Sequence, residues 1–211
     1  MKRNPIKFLL LLVLTSCFSV RTPYIPTIYY YLNHEAFSFR NIATIETYIL
    51  LKEFSVPDEL LDNRIVIWYD DGTIQKFNYH RFNTDYSELL NGFIYSRFNQ
   101  SKAFKYGVAS FNTAIVPNYI LEGSIIEFKA FASRQDKKKN WVQISFNVNL
   151  IKYEPLEQNK KIIHSGNYSQ KLEVSERENS IIVQAFSKLF SLMTDKLILD
   201  IQSAIAQDLH L

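Results

Sequence analysis

A single cysteine in 211 residues excludes an intramolecular disulfide, so any domain this chain forms must be held by its core. Five glycines leave no glycine-rich phosphate loop, and no serine sits in a Gly-x-Ser-x-Gly elbow. The histidines His34, His80, His164 and His210 are scattered, with no two at metal-ligand spacing on one element, so neither a metal nor another cofactor is expected. A net charge of +3 does not call for nucleic acid. Long apolar runs are absent but for residues 8–14. That run is far short of the roughly 20 apolar residues a membrane-crossing helix takes.

What precedes and follows the run is informative. Met1-Lys2-Arg3-Asn4-Pro5-Ile6-Lys7 is cationic, and Leu14-Thr15-Ser16-Cys17 closes the run with small residues and the one thiol. This is the order of a secretory signal peptide. Leu14-Thr15-Ser16-Cys17 resembles the lipobox of bacterial lipoproteins, which implies a diacylglycerol on the Cys17 thiol, cleavage before Cys17 and acylation of the new amino terminus. Small side chains at Thr15 and Ser16 let a membrane peptidase reach the backbone, and only a thiol gives a stable thioether. Two or three acyl chains, at about 0.8 kcal/mol per buried methylene, anchor firmly where one would be marginal. The alternatives are an ordinary signal peptide with an incidental cysteine, or a buried free thiol. The expected organisation is a lipoprotein signal peptide over residues 1–16, a tether over 17–26 extended by Pro23 and Pro26, and one domain over 27–211.

Within that domain, residues 27–32 ("TIYYYL") have the aromatic content of a strand, and the "NHEAFSFRN" that follows has no period and reads as a loop. Residues 44–56 are β-rich in type. "RIVIWY" and "TIQKFNYH" flank Asp70-Asp71-Gly72, the turn of a hairpin. In "DYSELLNGFIYSRF" the spacing becomes helical, with Tyr86, Leu89, Leu90, Phe93 and Arg97 on one side and Asp85 with Glu88 as a capping box. "KYGVAS" is a short strand. Strands are predicted over 118–131, 140–153 and 161–174. In the second, Val142, Ile144, Phe146, Val148 and Leu150 alternate with polar residues. Ser175-Glu176-Arg177-Glu178 reads as a second capping box before a long helix whose Ile182, Phe186, Leu189, Met193, Leu197, Ile201 and Ile205 form one stripe. The fold class is α+β, a two-layer sandwich with a mostly antiparallel sheet and a middle and a long C-terminal helix on one face.

Candidate chemistry is sparse, and the expectation is a protein that is not an enzyme. Asp70-Asp71 reads as a solvated turn rather than a cation site. A catalytic reading would need His80 or His164 to meet a carboxylate in a pocket. Two stretches are candidate partner surfaces: Tyr29, Tyr30 and Tyr31, of which at least one ring must lie outside the core, and Lys137, Lys138 and Lys139 in the run 134–139, which could touch anionic head groups or an acidic partner. Edge packing and a solvated loop are the plainer readings of these two.

The order of segments, from the lipobox and "YYYL" through "FSVPDELLDNRIVI", "YHRFNTDYSELL", "YILEGSIIEFKAF" and "WVQISFNVNLI" to the final helix, resembles the ABC-type transport auxiliary lipoproteins, which include the PqiC-type lipoproteins. The likeness runs from about Thr27 to about Gln207. It implies a non-enzymatic, lipid-anchored periplasmic accessory beside an ABC transporter and an MCE-domain protein, moving phospholipids or other hydrophobic molecules across the envelope. Where the family commonly has Arg-Trp, this chain has Arg81-Phe82, and Phe18 after Cys17 favours the outer membrane by the sorting rule of enteric bacteria. An outer-membrane assembly or structural lipoprotein docking a barrel protein is the alternative, and homo-oligomerisation stays open.

Overall fold

The computed structural model describes residues 23–39, 42–110, 116–154 and 159–210; Leu14, Thr15, Ser16 and Cys17 lie outside the described residues. In chain order the elements are β1 (Ile28–Tyr30), β2 (Ile49–Leu51), β3 (Arg64–Tyr69), β4 (Ile74–Phe82), α1 (Tyr86–Ser101), β5 (Val108–Ala109), β6 (Tyr119–Ala132), β7 (Asn140–Glu154), β8 (Asn159–Glu173) and α2 (Asn179–Asp208). Strands β6, β7 and β8 form a long antiparallel meander. The other edge of β6 is shared, with β2 pairing in parallel at one end and β3 in parallel at the other. Strand β5 extends the sheet beyond β2, and β4 and then β1 extend it beyond β3. The result is an α+β fold with a large, mostly antiparallel sheet, and both helices lie on one face: Phe128 of β6 stacks on Phe186 of α2 at 4.1 Å and meets Tyr86 of α1 edge-on.

Alternation decides which face that is. Val142, Ile144, Phe146, Val148 and Leu150 all point to the helices and are buried, as their period of two predicts. On β6 the buried phase runs through Leu121 and Ile125, then shifts at a bulge between Ile125 and Glu127 to Phe128, Ala130 and Ala132. Without that extra residue, one half of β6 would turn its apolar side chains to water. Gly123 is required by close approach, since a Cβ there would stand 2.4 Å from the Asn147 carbonyl and 2.7 Å from the Phe54 ring. Asn91 of α1 holds Phe54 in place, accepting from its N–H at 2.6 Å and donating to its C=O at 3.1 Å.

Helix α1 starts as its sequence predicts, with the Asp85 carboxylate accepting from the Glu88 N–H at 2.8 Å. The return half of the box differs, because the Glu88 carboxylate accepts from the Thr84 hydroxyl. Helix α2 buries all seven residues of its predicted stripe. Its start is a correction. Ser175-Glu176-Arg177-Glu178 does not cap it; Glu178 occupies the N-cap without a side-chain bond to the helix backbone, its carboxylate accepting from the Ser180 hydroxyl at 2.5 Å, and Arg177 is turned toward the β6–β7 hairpin. Residues 44–56 yield only β2 and isolated bridges at Ile45 and Ser55, because Phe54 leaves the β6 edge to enter the core.

The aperiodic residues 33–39 form a strap along the two helices. Ser187, Ser191 and Asp195, spaced by four on α2, accept from the N–H groups of Asn33, Glu35 and Ser38 at 3.0, 3.2 and 2.7 Å. From α1, Arg97 donates to Asp195 at 2.7 Å and to the carbonyls of Glu35 and Ala36 at 2.5 and 3.4 Å, beneath the Phe37 ring. Both charged side chains are 1% exposed. His34 stacks on Phe93 at 4.2 Å on the exposed side of the strap, and the partial desolvation there, followed by the charge of Arg97, lowers its pKa below the usual imidazole value.

Removing one partner of a buried pair leaves an uncompensated charge, so Arg97→Met should cost about 3–5 kcal/mol in urea unfolding. The double variant with Asp195→Leu should not recover it, because the Glu35 and Ala36 carbonyls and the Ser38 N–H also lose their partners; full recovery would mean the strap is held otherwise. A second expectation concerns pH. With the folded pKa of His34 depressed, its contribution is present above the unfolded imidazole pKa and lost as pH falls through the folded one. The melting temperature should therefore drop between pH 7 and pH 5 more in the wild type than in His34→Phe, and equal drops would exclude the strap as the sensitive part.

Candidate interaction surface

The sheet face opposite α1 and α2 is partly covered at β3, where the short 3-10 turn Asp58–Leu60 brings Glu59 to Lys129 and lines a cleft with Trp68 and Ile74, and its residues fall into rows set by the strand register. At the end nearest the β3–β4 and β6–β7 hairpins, one row runs Ile74, Trp68, Phe131, Trp141 across four strands. Phe131 and Trp141 stack at 5.2 Å. The next row holds Lys76 beside Val66 on β4 and β3, and Lys129, Gln143 and Lys171 on β6, β7 and β8. Lys129 lies over the Trp68 ring at 4.6 Å and Lys171 over the Trp141 ring at 5.1 Å, so the ammonium groups border the aromatic row. Further along, Glu127 accepts from Gln143 at 2.7 Å and from Ser145 at 3.1 Å, and the centre of the face is polar.

Beyond the aromatic row, the β6–β7 hairpin presents Lys137, Lys138 and Lys139, all exposed. This turn is built. Arg177 donates to Asn140 Oδ1 at 2.7 Å, to the Asp136 carbonyl at 3.2 Å and to the Ser133 carbonyl, and Asn140 Nδ2 donates to the Lys137 carbonyl at 2.7 Å. The turn's carbonyls are thus drawn inward and its lysines left outside. The neighbouring hairpin, closed by Gly72 at φ +82°, is tied to it: Asp70 accepts from the Arg134 N–H at 2.9 Å, and Asp71 accepts from the Thr73 N–H at 2.9 Å. Hydrogen bonds from Ser133 and Arg134 lower the pKa of Asp70, and those from Thr73 lower that of Asp71. Both carboxylates already have local donors, in keeping with a solvated turn.

The tyrosine stretch is elsewhere. Tyr29 and Tyr31 are 61% and 64% exposed, whereas the Tyr30 hydroxyl lies 2.9 Å from His80 Nδ1. Tyr29 pairs with Arg81, so most of the length of β4 separates it from Ile74. The two candidate surfaces of the sequence are not brought together. The tryptophans were not singled out, although Trp141 falls in the wet phase of the alternation, with Gln143 and Ser145. That signal marks the position of one ring; only the register aligns it with Trp68 and Phe131.

Two of the clefts beside the helices carry carboxylates. One of about 360 Å³ lies beside α1, with Glu53, Asp85, Glu88 and Tyr95 in its wall. The other, about 270 Å³, lies between β8 and α2, where His164 Nε2 is 3.4 Å from the Tyr168 hydroxyl. Tyr168 donates to Asp200 at 2.8 Å and Lys196 reaches the same oxygen at 3.0 Å; burial and then Asp200 hold the phenol protonated well above its ordinary pKa. His164 thus meets a phenol and His80 a tyrosine hydroxyl and the Phe77 ring, and among the described residues neither is paired with a carboxylate. Among the described residues no group of three or more His, Cys, Asp or Glu could hold a metal, and no helix is long and apolar enough to cross a membrane.

No protein-family model matches the sequence, and no curated protein matches it. Among solved structures, protein XCC0632 from Xanthomonas campestris, of the DUF330 family, is similar with a TM-score of 0.74 at 16% identity, over 88% of this chain and 100% of that one. The chain shares that fold. An uncharacterized protein is similar at a TM-score of 0.62 and 13% identity, over 84% and 99% of the two chains. The hypothetical protein CT253 from Chlamydia trachomatis reaches 0.50 at 6% identity, over 77% and 99%.

If Arg177 shapes the lysine turn, Arg177→Ala should leave the melting of the core near that of the wild type while limited trypsin treatment cuts after Lys137, Lys138 or Lys139 several-fold faster. Unchanged cleavage would show that the turn keeps its form without the guanidinium.

Proposed function

We propose that this protein is a non-enzymatic, lipid-anchored accessory of an ABC/MCE-type transport system, facing the periplasm from the outer membrane and helping to move phospholipids or other hydrophobic molecules across the envelope. The observation that carries this reading is the strap. The chain that leads from Cys17 enters the domain through Pro23–Tyr30 and is then laced to both helices by a buried ion pair and three hydrogen-bonded N–H groups. Such a joint gives a domain hung from the membrane a defined attachment, and tethering raises the local concentration of whatever surface it presents. The buried charges are spent on that joint, and the sheet face opposite the helices and its lysine turn are what the domain offers to a partner. The segment resemblance supplies the transport system, and the fold shared with a DUF330 protein supports the architecture.

The test is affinity isolation of the tagged full-length protein from its host after crosslinking and mild solubilisation. An MCE-domain protein or its ABC subunits should be recovered by mass spectrometry, and recovery should be lost in Cys17→Ala. Isolation of a barrel protein in their place would overturn the transport reading in favour of envelope assembly.

A further inference from the structure

Both tryptophans of the chain stand in one row, on the face opposite α1 and α2, beside a row of lysines and below a lysine turn. The geometry points to this corner of the sheet as a seat on anionic phospholipid: the aromatic row Trp68, Phe131 and Trp141 enters the head-group region, and Lys137, Lys138, Lys139 and their neighbours meet the phosphates. The inference rests on the reading of Cys17 as the lipid anchor, and it adds which surface the anchored domain turns toward the bilayer.

Three observations select a bilayer as the occupant. First, where the chain emerges: β1 runs parallel to β4, with Ile28 beside His80, so the residues before Ile28 come from the side on which β4 begins, the hairpin end. Tyr24 and Ile25, which precede β1 on that side, are exposed. Six residue steps separate Cys17 from Pro23, no more than roughly 21 Å of extended chain. An anchor so short keeps the hairpin end near the lipid. Second, charge. Arg134 faces Asp71 at 3.5 Å and Lys129 pairs with Glu59 at 2.8 Å, whereas Lys76, Lys137, Lys138, Lys139 and Lys171 have no ion pair among the described residues. On the acidic side, Asp70 and Asp136 accept from backbone N–H groups and Glu173 stands at the β8 edge, so the unpaired surplus is cationic. Third, residue type. Indole and phenyl rings that are only partly buried, bordered by long cationic side chains, match the polarity gradient of a head-group region better than they match water.

Because Trp68 and Trp141 are the only two tryptophans, intrinsic fluorescence reads this surface directly. The protein purified from its host, with the acylation of Cys17 read by mass spectrometry, is reconstituted into vesicles of phosphatidylcholine with or without phosphatidylglycerol, carrying lipids brominated near the head group. In the anionic vesicles the emission should shift to the blue and be quenched, and high salt should reverse both. The triple variant Lys137→Ser, Lys138→Ser, Lys139→Ser, with unchanged melting, should lose most of the quenching, since three basic residues near an anionic surface are worth roughly a hundred-fold in the docking equilibrium. Acylated protein without quenching, or with equal quenching in neutral vesicles, overturns the seat and leaves the anchor standing. Blue-shifted emission without bromolipid quenching, rising with protein density, overturns it in favour of a second copy on this face. Unmodified Cys17 overturns the anchor and the seat with it.

Discussion

The contact on which the rest depends is the buried pair between Arg97 and Asp195. A guanidinium and a carboxylate removed from water are costly unless every polar atom finds a partner, and here the partners are the backbone of residues 35–38. The pair therefore does more than join α1 to α2. It requires a third chain segment of irregular backbone at that spot, and the strap supplies it. The same segment carries the connection between the N-terminal residues and the domain, so the charge pair that closes the core also fixes how the domain is held.

Strand β6 organises the other layer. It is paired along one edge by β7 and on the other by β2 and β3 at opposite ends, leaving the middle to Ser55 and to the Phe54 ring against Gly123. The bulge after Ile125 lets both halves of the strand bury apolar side chains under the helices. It also places Phe131 on the open face, in line with Trp68 and Trp141. One inserted residue thus serves the core and aligns the aromatic row.

The legible parts of the sequence were those with a period. The alternation of 142–150, the stripe of α2 and the Asp85 cap are local patterns read from neighbours in the chain, and the structure keeps them. The strap was legible only as a lack of period, because Ser187, Ser191 and Asp195 look like ordinary polar positions until a backbone is laid against them. Ser175-Glu176-Arg177-Glu178 misleads for a related reason. It has the composition of a cap, yet Arg177 finds the Ser133 and Asp136 carbonyls across the chain, and tertiary bonds outweigh a local motif. Of the candidate surfaces, the lysine turn was visible as a run, while the aromatic row joins residues from four strands through pairings that no single stretch encodes.

These features give the two layers different duties. In the helical layer Arg97, Asp195, Ser187 and Ser191 are engaged with the strap, and Phe186 and Phe190 with the sheet. The sheet's open face is divided, with aromatic and cationic groups at the hairpin end, Ser, Asn and Glu at the centre, and Ile151 and Ile162 paired toward the far end. On the proposed reading, a domain held by its N-terminal chain at the hairpin end has its orientation restricted by that attachment, and the divided face then sets what meets the membrane and what faces away. A firm joint and a graded surface are what the proposed positioning accessory requires.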